Sequence, residues 1–104
     1  MIFVELPLFA KNAAFTDDEL AVLQQTILDN PLVGDLIPGT HGLRKMRAAI
    51  GGRGKRAGAR VIYFLWAHDC CYLVFAYAKS EQSDLSRAQM RTLAALMQEV
   101  LKDG

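Results

Sequence analysis

Two apolar runs of strand length, separated by only a few residues, constrain this chain most. Arg60 to Ala67, within ARVIYFLWA, and Cys71 to Ala78, CYLVFAYA, are rich in β-branched and aromatic residues. Such residues fit a pleated, buried surface. The first run is apolar on both faces, which places it centrally in a sheet. His68-Asp69 supplies the turn between the runs, so the two pair as a hairpin.

The flanking segments supply the cover. Ile2 to Leu6 reads as a first strand closed by Pro7, and Leu8 to Ala14 as a helical turn or two. Thr16-Asp17-Asp18-Glu19 has the pattern of a capping box, with the Thr hydroxyl taking a first-turn N–H and the Glu reaching back. Leu20, Leu23 and Ile27 follow at helical spacing. Asn30-Pro31 ends that helix, because proline disfavours helical geometry in the residue before it. Pro31 to Gly42 reads as a connecting loop. Leu43 to Ile50 alternates Leu43, Lys45, Arg47 and Ala49 against Arg44, Met46, Ala48 and Ile50, as a half-exposed strand does. Lys79 to Leu85 leaves the sheet. Ser86 and Gln89 then form a second capping-box pattern before Met90, Leu93, Ala94, Met97 and Leu101 on one helical face. The expected architecture is α+β: one domain over residues 1–104, an antiparallel sheet of about four strands, packed by the Thr16–Asn30 helix and a C-terminal helix. A chain of 104 residues holds one modest core.

Charge is the second constraint. The formal net charge is only +1, yet between Leu36 and His68 there are seven Lys or Arg and no Asp or Glu. All 11 acidic residues and the other five of the 12 basic ones lie outside that stretch. A local patch of this kind, rather than the average, is what meets phosphates. No apolar run approaches the roughly 18 residues of a membrane span. The opening MIFVELPLFA has no basic n-region and is short for a signal peptide. Adjacent Cys70 and Cys71 form no ordinary loop-closing disulfide, and no His/Cys spacing suits zinc. The expectation is a cytoplasmic protein that uses no metal or cofactor.

The patch consists of Arg44, Lys45, Arg47, Arg53, Lys55, Arg56 and Arg60. Glycines at 51, 52, 54 and 58 let the backbone between these cations approach a ligand. Charge together with accessible N–H groups suits a phosphodiester, and RNA or DNA backbone binding is the expected role. A nucleotide-triphosphate loop is excluded: Lys55 is followed by Arg56, no Ser or Thr comes after it, and a strand follows instead of a helix. His41 and His68 fall in separate loops, so a two-histidine ribonuclease centre is not supported. A lysine crowded by arginines can do acid–base work, because like charges lower its pKa. Tyr63, Phe64, Trp66, Tyr72 and Phe75 read as core residues rather than base-stacking platforms. Tyr77 is most simply a sheet residue and Glu81 a surface carboxylate, although Tyr77, Lys79 and Glu81 lie where the last strand returns toward the basic end.

Three segments, GDLIPGTHGLRKMR, GGRGKRAGARVIYFLW and YLVFAYAKSEQSDLS, together resemble the RelE/HigB-type toxins of bacterial type II toxin–antitoxin modules. The likeness extends over nearly the whole chain, including FVELPLFAK and the TDDEL helix start. His41, Ala57 and Ser80 depart from the usual pattern, and Ala57 leaves every basic side chain of the loop in place.

The resemblance implies a microbial-ribonuclease-like fold and a ribosome-dependent endoribonuclease, an mRNA interferase that inhibits translation. It further implies a cognate helix-turn-helix antitoxin as partner. Carried onto matching positions, it implies Lys55, Arg60, Tyr77, Lys79 and Glu81 as catalytic residues, with Arg56 beside them on the phosphate. Arg44, Lys45, Arg47, Arg53 and Arg56 are the expected RNA-binding cations. Two other classes fit the same cations. One is a non-catalytic RNA- or ribosome-binding module; the other is a degenerate toxin kept for its contact with an antitoxin or repressor.

Overall fold

In the computed structural model, the residues described are 1–12, 15–51, 58–67 and 69–103. The elements follow in the order β1 (Ile2–Glu5), α1 (Pro7–Asn12), α2 (Asp17–Asp29), β2 (Asp35–Leu36), β3 (Leu43–Ala48), β4 (Ala59–Trp66), β5 (Cys70–Ala78) and α3 (Arg87–Asp103). The strands form one five-stranded sheet in the order β1-β5-β4-β3-β2. From β2 to β5 the chain meanders, each strand antiparallel to the last. β1 joins at the far edge, parallel to β5.

This refines the sequence expectation twice. The sheet is mixed rather than antiparallel, and it has five strands rather than about four. The added strand is β2, a two-residue segment inside the expected loop, paired through Asp35 with Lys45 and through Leu36 with Arg44.

Both helix starts form as their sequences dictate. The Glu19 N–H donates to the Thr16 hydroxyl at 3.1 Å, and the Thr16 N–H donates to the Glu19 carboxylate at 3.0 Å. The Ser86/Gln89 box repeats this at 3.0 Å in both directions. Each box satisfies two N–H groups that a helix N-terminus otherwise leaves without partners.

Helices cover both faces of the sheet. On one, Phe9, Leu23 and Ile27 pack against Met46, Val61, Tyr63, Leu73 and Ala76. On the other, Leu93, Met97 and Leu85 pack against Leu43, Ile62, Phe64, Val74 and Tyr77. β4 lies between the two cores and is buried from Ala59 to Phe64. Its register with β5 shifts between Ile62 and Tyr63, so that Val74 has no opposite residue. Trp66, the last residue of β4, is exposed rather than core.

A buried tyrosine helps hold the loop after α2 to the sheet. The Tyr63 hydroxyl accepts from the Gly34 N–H and donates to the Pro31 carbonyl, both at 2.8 Å. A Cβ on Gly34 would stand 2.7 Å from the Tyr63 ring, so this close approach needs glycine.

Candidate active site

Alternation along β3 separates its cations. Lys45 and Arg47 share the α3 face with Leu43, whereas Arg44 projects to the other face with Met46 and Ala48. There the Arg44 guanidinium donates to the Gly34 carbonyl at 2.7 Å. Across the strands, Arg47 lies opposite Arg60, and Arg60 opposite Tyr77. Neighbouring strands are about 4.8 Å apart, so these three side chains form one row on one face. Lys45 lies about 6.5 Å along from Arg47, two residues of rise.

That row borders a cleft of about 500 Å³ lined by Lys45, Arg47, Arg60, Lys79, Asp35 and Asp84, among others. α3 and Leu85 cover the rest of the same sheet face, and Thr26, Val33 and Met46, from the α2 side of β3, also border the cleft. The Lys79 N–H donates to the Gly58 carbonyl at 3.0 Å, fastening the exit of β5 to the start of β4. Arg60 is only 8% exposed. Although it follows the glycine-rich loop, Arg60 is not an exposed strand-end arginine, because β3 and β5 flank it on both sides. Burial restricts the guanidinium, which also donates to the Ala59 carbonyl at 3.3 Å.

Tyr77 is 4% exposed and belongs to the core beneath the cleft. Its ring, tilted against Phe75, has no open face for a base to stack on. Its hydroxyl is buried without a hydrogen-bond partner among the described residues. Burial pushes this phenol up to about 12; the Asp84 carboxylate adds to the rise and the Arg60 guanidinium opposes it.

Sequence reasoning passed over Asp84. Its carboxylate accepts from the Lys45 ammonium at 2.9 Å and from the Leu85 N–H at 2.8 Å. Those bonds, the Lys45 one foremost, hold its pKa below the ordinary carboxylate range. No local spacing marks this residue; only the folded chain brings it to β3. Glu81 is exposed in the turn after β5 and does not line the cleft. Arg53, Lys55 and Arg56 lie outside the described residues. Among the described residues, no three His, Cys, Asp or Glu side chains converge as a metal site needs. No helix among them is long and apolar enough to cross a membrane.

A mixed five-stranded sheet with helices on both faces, and with Arg47 and Arg60 side by side on one of them, defines a class of small α+β domains with a basic cleft. The assignment is sharper than that class. The chain matches the family model of the RelE toxin of the RelE / RelB toxin–antitoxin system over residues 5–103, and it belongs to that family. It is thus a toxin of a toxin–antitoxin system, and its family pairs such toxins with an antitoxin.

Proposed function

We propose that this toxin is a ribosome-dependent endoribonuclease of RelE/HigB type that cuts mRNA and so halts translation. The observation that carries the reading is the row Arg47–Arg60–Tyr77 beside a cleft that, among the described residues, is lined by four cations, Lys45, Arg47, Arg60 and Lys79, against two carboxylates. Cleavage by the RNA's own 2′-OH suits such a site. The 2′-oxygen bonds to the adjacent phosphorus, the bond from phosphorus to the 5′-oxygen breaks, and a 2′,3′-cyclic phosphate and a 5′-hydroxyl result. A base takes the 2′-OH proton and an acid returns one to the leaving 5′-oxygen.

In this reading Arg60 binds the non-bridging oxygens as charge builds on them, with Arg56 joining from the loop. A planar, two-pronged donor held in place before reaction is what such a charge favours. Lys55 and Lys79 share the acid and base roles, and the Tyr77 hydroxyl positions a phosphate or ribose oxygen. Lys45, Arg47 and Arg53 hold the flanking chain, while Glu81 orients the segment after β5. The chemistry described calls on no metal or cofactor. The partner is a cognate helix-turn-helix antitoxin, and both act in the cytoplasm.

Ribosome-dependent mRNA cleavage and growth arrest test the assignment. Losing one preorganised donor costs about 10²–10³ in rate, so Arg60→Ala should fall by that factor. Arg60→Lys keeps charge and buried stem but loses the fork, and it should also fall well below wild type while melting normally. Arg44→Ala, on the opposite face, should keep most of the activity. Full cleavage by a folded Arg60→Lys protein would remove Arg60 from the active centre. Binding without any cleavage by the wild type would leave an RNA-binding module.

A further inference from the structure

The cleft is not uniformly basic, and an ion pair lies within its lining. Lys45 is about one-third exposed and projects onto the cleft face of β3; its ammonium is held at 2.9 Å by Asp84. Asp84 comes from the strap 79–86 that joins β5 to α3, far from Lys45 in sequence. Close by, the Tyr77 hydroxyl is buried with no hydrogen-bond partner among the described residues. A buried hydroxyl left in that state costs about 1–3 kcal/mol, so a native protein that keeps one needs a reason. Two donors, one bonded to the Asp84 carboxylate and one buried with no partner at hydrogen-bond distance among the described residues, thus flank the same carboxylate, which also acts on the Tyr77 phenol.

We propose that Asp84 is an internal stand-in for a phosphate: its carboxylate fills, on Lys45 and beside the Tyr77 hydroxyl, the subsite that a phosphate flanking the scissile one occupies when RNA binds. The identity of the ligand rests on the RNA-cleaving reading above. An anionic oxygen entering this subsite displaces Asp84 from Lys45, frees the strap, and gives the Tyr77 hydroxyl an acceptor. In the empty protein Asp84 neutralises Lys45 and lowers the cleft's appetite for arbitrary anions. Asp84 is therefore a specificity residue that acts by competition. It demands that a ligand make enough contacts elsewhere in the cleft to expel it.

The sign of the effect separates this from a merely structural role, since damage weakens binding and removal of a competitor strengthens it. Asp84→Asn keeps an oxygen for the Leu85 N–H and discards the charge. The probe is a short single-stranded 2′-deoxy oligonucleotide, which has no 2′-OH and survives the titration intact. The full-length Asp84→Asn protein should bind it about five-fold more tightly than wild type, the scale of one screened ion pair. Asp35→Asn removes the same charge from the same cleft without an ion pair to Lys45, and should gain less than about two-fold. Lys45→Gln should abolish the gain in the Asp84→Asn background. Amide exchange at Leu85 in the wild type should accelerate when the probe is added. Equal gains for the Asp84 and Asp35 variants, or weaker binding by a folded Asp84→Asn protein, would overturn the proposal. No binding by any of these proteins would instead fell the RNA-cleaving reading, and this inference with it.

Discussion

Deleting the same oxygen from two tyrosines on opposite faces of one sheet should move stability in opposite directions. Tyr63, on β4, and Tyr77, on β5, are both buried. The Tyr63 hydroxyl makes two hydrogen bonds of 2.8 Å, accepting from the buried Gly34 N–H and donating to the Pro31 carbonyl. Tyr63→Phe loses both, at about 1 kcal/mol each, and leaves the Gly34 N–H buried without a partner. The expected loss is about 2–3 kcal/mol. Tyr77→Phe removes a hydroxyl with no partner at hydrogen-bond distance among the described residues. It should stabilise the fold by about 1 kcal/mol, because the desolvated oxygen is no longer carried. For a domain this size 1 kcal/mol shifts Tm by about 4–8 °C, so the two variants should melt more than about 10 °C apart. The assay is a thermal melt by circular dichroism, repeated by urea denaturation so that a change in m would expose a shift in the unfolded state. The same Tyr77→Phe protein should cleave mRNA less well, a gain in stability purchased with function. Equal destabilisation of both variants would show that the Tyr77 hydroxyl has a stabilising partner after all, and the argument that it is held ready for a ligand would fall.

Two further outcomes follow from the same contacts. Gly34→Ala would bring a Cβ to 2.7 Å from the Tyr63 ring and 3.0 Å from the Lys45 carbonyl, so it should destabilise by about 1–3 kcal/mol, read as a fall in urea midpoint. Burial raises the pKa of Cys71 and Tyr77 to about 12 each, above their ordinary 9.0 and 10.0. Groups raised in the folded state contribute stability fully below the unfolded pKa and lose it as pH climbs to the folded one; unfolding free energy should therefore fall steadily from pH 9 to 12, and a flat profile there would contradict the burial.

The parts of this fold legible in the sequence are those fixed by neighbours along the chain. Thr16/Glu19 and Ser86/Gln89 cap their helices through bonds three residues long, and Asn30-Pro31 stops α2 by local sterics. The two-sided burial of β4 was written in its unbroken apolar run. What was hidden depends on partners distant in sequence. Asp35–Leu36 has no strand character of its own and becomes one only because β3 pairs with it. Nothing in Ile2–Glu5 states whether it runs parallel or antiparallel to β5; its direction follows from where α1 and α2 carry the chain. Trp66 looks like core by composition but overhangs the hairpin end. Arg60 follows a glycine-rich loop, which suggests exposure, yet flanking strands bury it.

The candidate site shows the same division, and the alternation of β3 explains it. Arg44, Lys45 and Arg47 count equally in a tally of charge, but a period of two assigns Arg44 to the face of Tyr63 and the others to the face of Tyr77. Arg44 consequently helps Tyr63 to pin residue 34, whereas Lys45 and Arg47 line the cleft. One face of the sheet thus has its polar groups joined to one another. The other carries a buried hydroxyl without a hydrogen-bond partner among the described residues and a lysine paired with the Asp84 carboxylate. Polar groups joined to one another stabilise a fold, while groups held apart from good partners cost stability and remain available to a ligand. The contrast between the two faces, more than the number of arginines, is what favours the side of α3 for the chemistry proposed for this toxin.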